Sequence, residues 1–188
     1  MNKFILVFIA FLFSSTLVIS ETRPLILVNL QKPEPPEKKV KWYTWEEAVK
    51  LQMENPKIIM VDLFTDWCGW CKRMDATTFE NDTVAQYLNK YYYPVKFNAE
   101  QKEDINYGGK ILKSRADLGR NPVHELAYAM VDGKLGYPCF IYFDGQMNRI
   151  MISPGYKEAK AVLLELKYNA DGSYKTRNWD EYKASDGN

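Results

Sequence analysis

The clearest pattern in the chain is the near-continuous apolar run Lys57-Ile58-Ile59-Met60-Val61-Asp62-Leu63-Phe64, interrupted by a single acid, Asp62. Such a run predicts a strand buried on both faces. Before it, Thr44-Trp45-Glu46-Glu47 has the form of a capping box, so a helix is expected to about Glu54, where Asn55-Pro56 ends it. After it, helical spacing runs to about Phe79. A second short helix is expected with Asp82 as its cap and Val84, Ala85, Tyr87 and Leu88 as its apolar set. Tyr93 to Asn98 reads as the next strand. Residues 101–121 are polar, with Gly108-Gly109 as a turn, and Val123 to Val131 returns to helical spacing. Cys139 to Phe143 reads as a strand, Asp144-Gly145 as a hairpin turn and Met147 to Ile152 as its partner. Lys157 to Tyr168 is a final amphipathic helix. Strands alternate with helices first and a hairpin comes last, which predicts an α/β fold, a central mixed sheet with helices on both faces.

The ends of the chain follow other patterns. Lys3 precedes a wholly apolar stretch from Phe4 to Phe13, and Val18 and Ser20 suit the −3 and −1 positions of a cleavage site. Residues 1–20 are therefore expected to be a cleaved signal peptide. The competing reading, an uncleaved anchor, has only Phe4 to Ile19 with three hydroxyls against the roughly 20 apolar residues of a span. Residues 21–39 read as a leader or linker, with Pro33, Pro35 and Pro36 among five charges. The folded domain is expected over residues 40–168. Residues 169–188 read as a polar C-terminal tail with Trp179 as its one obvious anchor. Export would place the protein in a periplasmic or other extracytoplasmic space, where disulfides persist.

Composition narrows the chemistry. With 25 Lys and Arg against 24 Asp and Glu in 188 residues, the chain has no basic field to hold nucleic acid. Loss of Lys3 with the signal peptide would leave it formally neutral. Apolar residues at 46% suffice for a core and exclude wholesale disorder. One histidine, His124, excludes multi-histidine metal sites, and it reads as a helix-surface or packing residue. Three cysteines, Cys68, Cys71 and Cys139, are too few for a disulfide scaffold and leave one thiol over.

Cys68-Gly69-Trp70-Cys71 follows the buried strand and opens a helix. At a first helical turn the free backbone N–H groups and the helix dipole favour an anion, so a cysteine there ionises readily. The second cysteine lies one turn on, within bonding reach, so the pair can switch between dithiol and disulfide. Gly69 leaves the first sulfur uncovered. Trp67 and Trp70 flank it with flat apolar surface suited to an extended peptide. Two other readings stay open: a metal or cluster site recruiting Cys139, and an inert disulfide, whose two-residue loop would remove little unfolded-state entropy. A binding module with secondary thiols is a third.

The segment from Val61 to Lys72 resembles the active site of thioredoxin, with Gly-Trp between the cysteines. Asp62 stands where that family keeps a buried acid, and Lys96 where it has a lysine beside that acid. Gly136-Tyr137-Pro138 resembles its cis-proline segment, and Gly155 the glycine before the last helix. The Trp45 region and Thr78 to Val84 are similar to an exported thioredoxin-like subfamily related to the C-terminal domain of membrane thiol–disulfide interchange proteins. Three departures stand out: Ala76 in place of a helix-kinking proline, a longer stretch between Cys71 and Pro138, and Cys139 after that proline. The resemblance implies a thiol–disulfide oxidoreductase without a cofactor or metal. Cys68 would be its nucleophile, Cys71 the resolving thiol, and Asp62 with Lys96 the proton-exchanging pair. Trp67, Gly69, Trp70, Tyr137 and Pro138 would hold the substrate, and Cys139 would be either an accessory thiol or a buried strand thiol. Its partners would be protein disulfides and an upstream thiol electron donor, such as a membrane thiol transporter.

Overall fold

The computed structural model describes residues 37–186. The expected signal peptide and the leader up to residue 36 lie outside the described residues.

Helix α1 (Trp45–Glu54) starts on a complete capping box: Glu47 N–H donates to Thr44 Oγ1 at 3.2 Å, and Thr44 N–H to the Glu47 carboxylate at 2.8 Å. Strand β1 (Ile58–Phe64) follows, then helices α2 (Gly69–Thr77) and α3 (Asp82–Tyr91) and strand β2 (Tyr92–Asn98). Four short strands come next: β3 (Ile105–Tyr107), β4 (Lys110–Leu112), β5 (Ser114–Arg115) and β6 (Val123–His124). Helix α4 (Glu125–Met130), the hairpin β7 (Cys139–Phe143) with β8 (Arg149–Pro154), and helix α5 (Ala159–Ala170) complete the expected sequence of elements. A short 3-10 turn (Ser173–Lys175) then leads to helix α6 (Trp179–Asp186).

The main sheet has the order β2-β1-β7-β8, with β1 parallel to β2 and antiparallel to β7. Strand alternation sorts its side chains into two layers. Ile59, Val61 and Leu63 join Val95, Phe97, Cys139 and Ile141 under α1 and α4. Met60 joins Tyr92, Phe140 and Tyr142 under α2, α3 and α5. Helices therefore cover both faces, and burying both is what the unbroken apolar run of β1 requires.

Local details differ from the sequence reading for physical reasons. Asn81, not Asp82, caps α3, because its Oδ1 accepts from both Thr83 N–H and Val84 N–H. The polar stretch 101–121 holds the β3–β4 hairpin and one strand of the β5–β6 pair. The helix expected from Val123 starts only at Glu125. His124 is fully buried and serves as its cap: Nδ1 accepts Leu126 N–H at 3.2 Å, and Nε2 lies 3.2 Å from the Glu103 carbonyl. The expected polar tail folds back in its described part. Tyr182 of α6 is buried, and Tyr168 meets Trp179 and Tyr182 with ring centroids 5.3 and 5.0 Å apart. Among the described residues, no helix is long and apolar enough to cross a membrane.

Candidate active site

The sulfur pair sits where β1 hands the chain to α2. Cys68 is the N-cap of α2, its Sγ accepting Cys71 N–H at 3.1 Å, and Cys68 N–H donates to the Thr65 carbonyl. Cys68 and Cys71 are joined in a disulfide, their Cα atoms 5.3 Å apart. A bonded Cys68 thus takes one of the N–H groups that would stabilise its thiolate after reduction. Both sulfur residues are buried, while Trp67 and Trp70 on either side are 61% and 58% exposed. The site is a narrow redox centre framed by two open indoles.

Beneath α2, Asp62 is 2% exposed and occupies the sheet face that α2 covers. Parallel register sets it opposite Lys96, whose Nζ donates to Asp62 Oδ2 at 2.6 Å. The same ammonium also bonds Asp75 of α2, so one cation ties the strand acid to the helix carrying Cys71. Lys96 further packs over the rings of Phe64, Trp42 and Phe79. Asp62 Oδ1 is buried with no hydrogen-bond partner. Desolvation outweighs the attraction of Lys96 and pushes the Asp62 carboxyl up to about 6, the range in which a carboxyl exchanges protons near neutral pH.

The opposite wall is the segment before β7. The Tyr137–Pro138 peptide bond is cis. The Pro138 carbonyl accepts Gly155 N–H at 2.8 Å, and Gly155 holds a left-handed φ of 92°. Lys157 Nζ bonds three successive carbonyls, Ser153, Pro154 and Gly155, at 3.1–3.2 Å. Its charge is answered by Glu165, a buried carboxylate 3.8 Å away that accepts from Ser153 Oγ and Tyr142 Oη. Tyr137 meets Trp67 edge to face at 5.8 Å, so the two walls touch across the mouth of the site.

Trp67, Gly69 and Trp70 flank the disulfide along the chain, Tyr137, which precedes the cis Pro138, meets Trp67, and Asp62 with Lys96 lies in the layer that α2 covers. Cys139 goes elsewhere. It pairs with Leu63 and shares that residue's layer, on the other side of the sheet from Asp62 and Phe140. Burial pushes its thiol up to about 11. Among the described residues, no group of three or more His, Cys, Asp or Glu is arranged to hold a metal ion. The sequence reading missed Asp75, Glu100 and Lys157. Asp75 had a signal: it lies four residues after Cys71, one turn on along the same helix face. Glu100 accepts from the Trp67 indole at 2.9 Å and from Asn121 at 2.8 Å, contacts that only the fold creates.

Solved structures share this architecture. The chain superposes on the DsbH oxidoreductase with a TM-score of 0.53 and 18% identity, over 79% of this chain and 94% of that one. It superposes on a thioredoxin from Thermus thermophilus with a TM-score of 0.52 and 17% identity, over 75% of this chain and 98% of that one. The fold is that of thioredoxin.

Among curated proteins, an uncharacterized protein of Caenorhabditis elegans is 29% identical over 87 residues, 46% of this chain and 11% of that protein. The thiol:disulfide interchange protein DsbD of Yersinia pestis is 27% identical over 123 residues, 64% of this chain and 17% of DsbD. The chain thus spans only a small part of the length of these relatives. The family model Thioredox_DsbH, described as a protein of unknown function, DUF255, matches residues 30–151. That match covers more than half of the chain, and the protein belongs to this family.

Proposed function

We propose that the protein is an exported thiol–disulfide oxidoreductase that reduces protein disulfides in an extracytoplasmic, periplasm-like space. The observation that carries this reading is the Cys68–Cys71 disulfide on the first turn of α2, with the buried, proton-exchanging Asp62 on the sheet face below the same helix.

In the reduced protein, the Cys68 thiolate attacks one sulfur of a partner disulfide and releases the other as a thiolate. A mixed disulfide links Cys68 to the partner. Cys71 then attacks Cys68 Sγ, closing the internal disulfide and freeing the partner as a dithiol. Cys71 is buried away from bulk water, and Asp62, with Lys96 beside it, accepts its proton. Trp67 and Trp70 present flat surface to the partner, and the backbone of Tyr137 before Pro138 offers strand-like pairing to it. A thiol donor restores the dithiol. The likeness to a thiol:disulfide interchange protein supports a membrane thiol transporter in that role. The alternative of a metal carrier on Cys68, Cys71 and Cys139 has less support, since the pleat of β7 turns Cys139 into the other layer.

The test is a Cys71→Ser variant expressed with its native leader. It is expected to accumulate mixed disulfides in the extracytoplasmic fraction that dissolve on reduction and vanish in Cys68→Ser. Absence of trapped partners, together with no dithiol-driven reduction of a protein disulfide by the wild type, would remove this reading.

A further inference from the structure

Bordered by Trp67, the residue before Cys68, and by Tyr137 lies a cleft of about 600 Å³. Its apolar lining includes those two rings with Val123 and Leu135, and two opposite charges, Glu100 and Arg120, share its wall. They form no ion pair with each other, and among the described residues Arg120 has no hydrogen-bond or ion-pair partner at all. Glu100 is held in place from one side only: its Oε1 accepts both the Trp67 indole and the Asn121 amide, and Oε2 is left without a partner. Arg120 is exposed and Glu100 half-buried, so in the free protein water solvates both; a fixed acceptor and a free guanidinium on one partly apolar cleft suit a ligand carrying both an ammonium and a carboxylate. The interior of a peptide chain carries neither on its backbone. An α-amino-acid head group carries both on one carbon.

We propose that this cleft binds the α-amino-acid head group of a small zwitterionic disulfide, of which cystine is the simplest, and that the protein reduces such molecules as a second class of substrate. The proposal rests on the oxidoreductase reading above. Glu100 Oε2 accepts from the ammonium, Arg120 donates to the carboxylate, and the methylene lies along Trp67, pointing its sulfur at the neighbouring Cys68. The Cys68 thiolate attacks that sulfur and releases one thiolate. Cys71 attacks Cys68 Sγ and releases the second. The protein is oxidised by two electrons to its disulfide, the small disulfide is reduced to two thiols, and a dithiol donor resets the pair.

The experiment uses the protein kept reduced by dithiothreitol. Cystine is compared with cystamine, which lacks the carboxylate, and with dithiodipropionate, which lacks the ammonium, each rate normalised to that of dithiothreitol alone. A charge-assisted hydrogen bond gives each full head-group contact about a tenfold advantage in kcat/KM. Arg120→Ala is expected to erase the advantage over cystamine. Glu100→Gln, which keeps an acceptor for the Trp67 indole, is expected to erase the advantage over dithiodipropionate. Equal normalised rates for the three disulfides overturn the proposal.

Binding is read separately with S-methylcysteine, which cannot react, titrated into the oxidised protein. The Trp67 indole and Asn121 amide resonances are expected to shift in the wild type and not in Arg120→Ala. Unmoved resonances in the wild type overturn the head-group site. A protein that binds S-methylcysteine yet reduces no disulfide, small or capped peptide, overturns the oxidoreductase reading instead.

Discussion

Lys96 reaches Asp62 from the neighbouring parallel strand, ammonium to carboxylate at 2.6 Å, yet the acid still has its carboxyl pushed up to about 6. Burial explains the imbalance: one carboxylate oxygen has no partner, and Lys96 divides its charge between Asp62 and Asp75.

That relationship predicts a stability cost with a defined sign. The folded protein holds a proton on Asp62 that the unfolded chain releases near its ordinary value of 3.8. The acid's contribution is therefore most favourable below about pH 4 and is lost as pH rises through about 6. At pH 7 the loss is on the order of 2–3 kcal/mol. Asp62→Asn should be more stable than the wild type by that order at pH 7, with the gap closing toward pH 4, in urea unfolding across that range. The same variant should resolve mixed disulfides more slowly. A variant less stable than the wild type at pH 7 would contradict the argument.

His124 predicts the opposite pH behaviour. Its Nδ1 must be unprotonated to accept Leu126 N–H, and burial lowers its pKa below the ordinary 6.5. The unfolded chain then binds the proton first, so His124's contribution is fully present above about pH 6.5 and declines as pH falls through and below that value. Hydrogen exchange of the α4 amides should accelerate as pH falls below 6.5, after correction for intrinsic rates. His124→Asn, which can still cap, should lose less stability than His124→Ala, by about 1 kcal/mol.

Lys157→Met should destabilise the protein by about 3 kcal/mol, because it leaves Glu165 buried without its cation and three carbonyls without their donor. Adding Glu165→Gln should recover part of the loss in thermal unfolding. If the double variant is no better than the single, the charge pair is not the cause.

Ending the chain after Thr176 removes Trp179 and Tyr182 from Tyr168 and uncovers part of α5. Unfolding should then shift by about 2 kcal/mol, with the disulfide exchange rate per folded molecule unchanged. An unaltered unfolding midpoint would return residues 177–188 to the status of a loose tail.

How far the sequence could be read depended on the length of each pattern. The β1 run, the Thr44–Glu47 box and the cysteine pair are strong local signals, and each lies where the pattern implies. The β3 and β4 strands are three residues each, with Ile111 exposed, so no alternation was long enough to register. Asn81 and Asp82 are both good caps, and only the hydrogen bonds choose between them. Helix α6 buries just Tyr182, too sparse a stripe to announce a helix. Glu100 and Lys157 act through partners 33 and 8 residues away, and a single chain carries no trace of such pairings.

The pleat that separates Cys139 from Phe140 also has an electrical meaning. If Cys139 could reach the pair, exchange would move the disulfide onto a dead-end partner and leave one of the two working cysteines as an idle thiol. By turning Cys139 into the opposite layer, the sheet insulates the circuit: a third sulfur lies one strand away, and the path to it is blocked by the backbone itself.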